Sequence, residues 1–252
     1  MKTIFASAFC VCALAGGAVA ADPNAIYSNM LAGRIRGAEP THTPGAASGG
    51  VTPMMADDIT SVGGYLSTIR LMAVNFNNNA VSAHVNVSFW NADGAVLAPG
   101  AVQGPGTYLT GSMGGGPSGP ISIRTGAVTL AAGDFTTVTI DLAAMNSRFT
   151  MPAGTVWVGV SFDSSTATDA QLGELGMALI SPPEVGSSSA DHMFKTTAAG
   201  TFVGVDNPAG VNPDFGFGPP KNLGMEFVIP APGAGAVLAL GGLAAMRRRR
   251  VG

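Results

Sequence analysis

The chain is poor in charge, in cysteine and in aromatic rings. Charged residues make up 11% of its 252 positions, against about 25% in an ordinary soluble domain. Its 12 Lys and Arg face 15 Asp and Glu, and no basic stripe lies in the interior of the sequence. Nucleic acid is thereby excluded as a partner. The two cysteines, Cys10 and Cys12, both fall in an apolar stretch near the N-terminus. Beyond residue 20 there is no thiol, hence no disulfide, no Cys-ligated zinc and no Cys nucleophile. A body without crosslinks must hold itself by its core. About 209 residues (21–229) suffice for that, burying roughly 70% of their unfolded surface.

Catalytic patterns are missing as well. His42, His84 and His192 form no His-Glu-x-x-His, and there is no Gly-x-Ser-x-Gly elbow. Glu39, Glu174, Glu184 and Glu226 sit in no recognisable active-site context, so paired carboxylates for glycoside hydrolysis rest on spacing alone. Gly114-x-Gly116-x-x-Gly119 matches a dinucleotide fingerprint as a string. Pro117 and Pro120 bracket it and a strand follows, so no helix N-terminus is there to hold a pyrophosphate. The chain reads as a non-enzyme without a required cofactor.

Period-two alternation is abundant. Val81, Ala83, Val85, Val87 and Phe89 share one face, and Ser82, His84, Asn86, Ser88 and Trp90 the other. Val156, Val158, Val160 and Phe162 alternate with Trp157, Gly159 and Ser161, and Val138, Ile140 and Leu142 with Thr137, Thr139 and Asp141. Segments 65–76, 121–130 and 223–229 are rich in β-branched and aromatic residues, and 26–31, 172–180 and 192–202 are further strands. Turn signals separate them: Asn77-Asn78-Asn79, Ala92-Asp93-Gly94, Ala132-Gly133-Asp134 and Pro152-Ala153-Gly154. Residues 142–146 read as one helical turn. Segments 38–52, 100–120 and 206–220 read as loops. The expectation is all-β: a single antiparallel β-sandwich over 21–229.

The two ends read as addresses. Residues 1–20 form a signal peptide, with Lys2 as the positive start, an apolar stretch from Ile4 to Leu14, and a small-x-small site at Ala18-Val19-Ala20 before Ala21. Pro230-Ala231-Pro232-Gly233 breaks the chain near the other end. Ala234 to Met246 is an apolar segment of 13 residues, read as a short helix. Arg247, Arg248, Arg249 and Arg250 follow at once. A spanning helix needs about 20 apolar residues, so this one suits a transient stop in a membrane, with the arginines kept inside. Without the two ends, 7 basic residues face 15 acidic ones, a net charge of −8.

This tripartite tail resembles the PEP-CTERM sorting signal of Gram-negative envelope proteins. Ala231 stands where that family usually has Glu. The resemblance covers 230–252 and implies Sec-type export, a transient inner-membrane stage and cleavage near Pro230–Pro232 by an exosortase-like membrane processing enzyme. It places the mature chain in the cell envelope, at the outer surface or in the extracellular matrix, with exopolysaccharide as a neighbour. Tyr27-Ser28-Asn29, Ala56-Asp57-Asp58-Ile59 and Ser67-Thr68-Ile69-Arg70 resemble the opening of jelly-roll-like domains common in such proteins. Asn222 to Ile229 resembles their closing strand. That implies a jelly-roll-like sandwich and no activity.

Some residues remain as candidate sites. Trp90 and Trp157 lie on the polar phase of their strands. They are candidates for stacking a sugar, the alternative being that each covers a sheet edge or a loop. Asp206, Asn207, Asn212 and Asp214 offer oxygen ligands for calcium within nine residues, although their Asn-Pro pairs also form ordinary turns. Asp57 and Asp58 are further calcium candidates, or else a turn cap and a solvent-facing strand residue. The leading function is that of a non-enzymatic envelope or matrix protein. A glycan-binding module and a polysaccharide hydrolase are the alternatives.

Overall fold

A computed structural model describes residues 21–30, 35–40, 47–95, 103–180, 183–189, 193–196, 202–204 and 222–231. The strands in chain order are β1 (Ala25–Ser28), β2 (Ile35–Pro40), β3 (Met55–Ser61), β4 (Gly64–Tyr65), β5 (Thr68–Asn75) and β6 (Val81–Asn91). Next come β7 (Thr110–Ser112), β8 (Ser118–Pro120), β9 (Ser122–Arg124), β10 (Val128–Leu130), β11 (Phe135–Asp141), β12 (Thr150–Met151) and β13 (Gly154–Asp163). A single α-helix among the described residues, α1 (Asp169–Gly173), precedes β14 (Leu175–Ile180), β15 (Met193–Thr196), β16 (Phe202–Gly204), β17 (Asn222–Leu223) and β18 (Met225–Val228). The all-β expectation holds, and every strand pairing is antiparallel.

Two seven-stranded sheets carry the fold. The first runs β1-β18-β5-β14-β17, with β11 also on β5 and β2 on β14. The second runs β10-β6-β13-β3-β15-β16, with β9 also on β6. One cluster of buried residues joins them, taking Ile69 and Leu71 from β5, Val85 and Val87 from β6, and Val158 and Val160 from β13. The alternation in β6 explains the packing: Val81, Ala83, Val85, Val87 and Phe89 all point into this core, while Ser82 is exposed. Phe89 meets Phe149 edge-on at 5.0 Å and Phe227 of β18 at 6.1 Å, and Tyr27 of β1 stands 6.1 Å from Phe227. The first and last strands thus close the same aromatic cluster.

Several local expectations need correction. Residues 35–40, partly assigned to a loop, form β2 and pair with β14 from Gly176 to Ile180. Segment 121–130 is split into β9 and β10, both beside β6. The start of segment 172–180 is taken by α1, because Thr168 and Gln171 make a reciprocal capping box. Residues 142–146 make turns rather than a helix. Their amides at Ala143 and Ala144 are captured by Asp141 Oδ1 at 2.9 and 3.0 Å, and Asn146 takes a left-handed φ of 50°. The loop 100–120 contains the β7–β8 hairpin, and the Gly114–Gly119 string spans its turn and second strand. Among the described residues no helix is long and apolar enough to cross a membrane. The signal peptide, with Ala18 and Ala20, lies outside the described residues, as does the segment from Pro232 through Gly233 to the arginines.

Phe227 bridges β1 and the second sheet, so Phe227→Ala should lower the unfolding free energy by about 3–5 kcal/mol. Val62→Ala, at a position 81% exposed, should stay within about 0.5 kcal/mol. Urea denaturation of both variants measures the contrast, and equal effects would place Phe227 outside the core.

Candidate functional site

Strands β6 and β13 set Trp90 and Trp157 directly opposite each other on the outer face of the second sheet. The expected phase is correct, but the rings are covered: Trp90 is 3% exposed and Trp157 is fully buried. Trp157 packs edge-on against Phe194 of β15 at 5.0 Å and donates its indole N–H to the Gln103 carbonyl at 2.8 Å. Tyr108 lies over Trp90 at 5.1 Å. Gly159 is required beneath: a Cβ there would stand 2.5 Å from the Trp90 ring and 2.6 Å from the Met54 sulfur. The segment over the rings is tied down by the Asp93 carboxylate, which accepts from the Thr107 amide at 2.7 Å and its hydroxyl at 2.6 Å. Those bonds hold the Asp93 carboxyl below its ordinary range. A sugar-stacking platform at Trp90 and Trp157 is therefore corrected to a small outer core, since neither ring offers a face to solvent.

Strand β3 departs from expectation too. Asp57 and Asp58 are both buried, at 0% and 1% exposure. Asp57 shares the core phase of Met55 and Ile59, and its Oδ2 accepts from the Leu223 amide of β17 at 2.7 Å. Asp58 faces the other way, and its two oxygens accept from the Ser189 amide at 3.2 and 3.0 Å. Neither is a turn cap or a solvent-facing group. Lys195 on β15 is buried and pairs across from Met55, one step along the same face from Asp57. Asp57, Asp58 and Lys195 are each engaged in further interactions. The Tyr27 hydroxyl is buried nearby, and desolvation, then the Asp57 charge, push its pKa well above the ordinary value.

Glu226 of β18 is a third buried carboxylate. It accepts from the Asp22 amide at 3.0 Å and the Ser28 hydroxyl at 3.1 Å, and it forms an ion pair with Arg70. Among the described residues no group of three or more His, Cys, Asp or Glu is placed to hold a metal. The calcium candidates Asp206, Asn207, Asn212 and Asp214 lie outside the described residues.

The described surface also carries a cleft. It has a volume of about 540 Å³ and is lined by Tyr65, Gly114, Gly115, Ala143, Asn146 and Arg148. Three pieces of chain meet there. Tyr65 ends β4, which pairs with β12 through Thr150. The Asp141-capped turns present Asn146 and Arg148, and the β7–β8 turn approaches through Gly114, whose amide donates to the Arg148 carbonyl at 2.9 Å. A Cβ on Gly114, at φ +57°, would lie 1.8 Å from the Asn146 carbonyl oxygen, so glycine is needed for that approach. The Tyr65 side of the cleft is open, with that residue 47% exposed. Arg70 and Arg124 have carboxylate partners, Asp22 and Glu226 for the first and Asp163 for the second. Arg148 has none among the described residues, and its Nε is buried without an acceptor.

Sequence reasoning did not single out Tyr65, Asn146 or Arg148. The available signals were weak: an Asp that caps its own following turn, and an Asn tolerant of positive φ. No protein-family model, no curated protein and no solved structure matches the chain.

The Tyr27 environment makes alkaline stability testable. Below the tyrosine's unfolded pKa of about 10 its contribution is fully present. As pH rises above that value the unfolded chain releases a proton that the folded chain keeps, so stability falls until the raised folded pKa is reached. Denaturation between pH 9 and 12 should show an added slope approaching about 1.4 kcal/mol per pH unit. Tyr27→Phe should remove that added slope, and its persistence in the variant would assign it to another group.

Proposed function

We propose that the chain is an exported, non-enzymatic structural protein of the cell envelope or extracellular matrix, sorted by its C-terminal segment. In this reading Sec-type machinery exports it and an exosortase-like membrane enzyme processes it. The body is the jelly-roll-like sandwich of such surface proteins, and 234–246 is a short helix held briefly in the inner membrane. The observation that supports the reading is where the chain leaves the folded body. Strand β18 ends at Val228, and the Ile229 amide makes a backbone bond to the Asn24 carbonyl at 3.1 Å. Pro230 and Ala231 follow directly and are exposed. An extended, Pro-flanked backbone just outside a finished sheet is what a protease needs to grip.

The signal-cleavage point supports the same reading. β1 and β18 are antiparallel neighbours, with Ala25 opposite Val228. The entry into β1 and the exit from β18 therefore lie at one end of that strand pair, where the Ile229 amide meets the Asn24 carbonyl. A chain held at either end presents the same pole of the sandwich to the membrane. The net charge of −8 on the segment between them suits an exported, soluble body.

Intact-mass spectrometry of the secreted or surface-bound protein tests the proposal. The expected species begins at Ala21 and ends near Pro230–Pro232, and replacing Arg247–Arg250 by Ser should alter that C-terminus. A dominant species still carrying Ala234–Gly252 would mark the segment as a permanent anchor and sink the sorting reading.

A further inference from the structure

We propose that the cleft between Tyr65 and Arg148 is a binding site for an acidic sugar, a uronate residue within a polysaccharide. The inference goes beyond the sorting reading and does not depend on it, because it rests on the chemistry of the cleft. A ligand site of this size takes a mono- or disaccharide, since small-molecule sites run from about 300 to 1,000 Å³. Its lining offers one aromatic ring, one guanidinium, one carboxamide and bare glycine backbone. That set is complementary to a pyranose acid, which is polar around its edge, has a flat C–H face and carries one carboxylate.

Each group has a role set by its position. Tyr65 is half exposed at the end of a two-residue strand, so its ring is available to cover the apolar face of a sugar. Arg148 has no acidic partner among the described residues. Its side chain is half-buried, and its Nε is shielded from solvent with no acceptor among the described residues, so the group is partly desolvated. A planar guanidinium pairs best with a planar carboxylate. The nearby acid on the same turn, Asp141, is turned to the Ala143 and Ala144 amides through Oδ1. Gly115 leaves open space, with nothing within 4 Å of where a Cβ would stand. The wall there is main chain, which can approach sugar hydroxyls closely.

The cleft differs from the discarded tryptophan platform in the property that matters. Trp90 and Trp157 are buried, whereas Tyr65 is exposed beside a cation that has no acidic partner among the described residues. An acidic peptide would also satisfy Arg148, but it lacks the flat C–H face that Tyr65 is placed to cover, so the sugar acid is the assigned ligand.

The test is titration of the purified full chain with three probes, followed by calorimetry or NMR. They are an α-1,4-linked galacturonate tetramer, its carboxyl-reduced neutral counterpart and a hexaglutamate peptide. Saturable binding of the galacturonate tetramer alone is expected. Arg148→Gln should weaken it about 10-fold or more, a loss of about 1.4 kcal/mol, and Tyr65→Ala about 5-fold. Arg148→Lys should fall between wild type and Gln, because charge is kept and the planar fork is lost. Arg124→Gln, on an exposed ion pair elsewhere, should bind as wild type. If Arg148→Gln does not fold, the exposed Tyr65→Ala variant carries the test. No saturable binding, equal binding of the neutral tetramer or of hexaglutamate, or undiminished binding in both Arg148→Gln and Tyr65→Ala would overturn the assignment. None of these outcomes bears on C-terminal processing, so the two proposals fail separately.

Discussion

The carboxylate of Glu226 accepts from the amide of Asp22 and the hydroxyl of Ser28 and pairs with Arg70. Glu226 is 3% exposed, so its charge is compensated almost wholly by these three partners. One comes from the chain's entry into β1, one from β1 itself and one from β5. An unpaired carboxylate at that depth would cost several kcal/mol. The arrangement therefore favours one register of β1 on β18 and of β18 on β5. Asp57 acts similarly from the second sheet, reaching the Leu223 amide on β17. Together the two acids tie segments 22–28 and 222–228 to β5 and β3, which is where a body without disulfides needs reinforcement.

Apolar burial does the remaining work, and it does so on more faces than a plain sandwich requires. Strand β13 is buried along both faces from Val156 to Phe162. Its inner residues belong to the core between the sheets. Its outer face is covered by the Trp90, Trp157 and Phe194 cluster. The outer cluster makes strand β15 and the segment 103–109 part of the packing rather than surface decoration. It also accounts for two isolated-looking residues, Gly159 and Asp93. The first makes room for an indole, and the second fastens the covering segment through Thr107.

The strands with one buried face were legible in the sequence, because alternation records which side is dry. β6 and β11 fall within two residues of their expected spans for that reason. What local pattern cannot record is a partner far away in the chain. Asp57 and Asp58 read as surface acids because the amides that bury them belong to Leu223 and Ser189. Trp90 and Trp157 read as either a sugar platform or a cover for a sheet edge or loop, because Phe194 and Gln103, which cover Trp157, come from elsewhere. The cleft was invisible for the same reason, since Tyr65, Gly114 and Arg148 belong to three separate segments. α1 shows in the sequence only as its Thr168-x-x-Gln171 cap, because a five-residue helix leaves no periodic stripe.

The last strand among the described residues sits in the interior of its sheet. β18 lies between β1 and β5, and β17 continues it alongside β14. A chain synthesised N-terminus first thus carries a gap in its first sheet until residues 222–228 arrive. Until then the facing edges of β1 and β5 lack their partner, and Phe89 lacks Phe227. A copy cut short before Met225 would keep that slot open, with apolar surface and unpaired backbone accessible to proteases and to aggregation. Completion of the sheet thereby serves as a proof of length: only a polypeptide made through β18 acquires the closed first sheet and the Phe89–Phe227 contact.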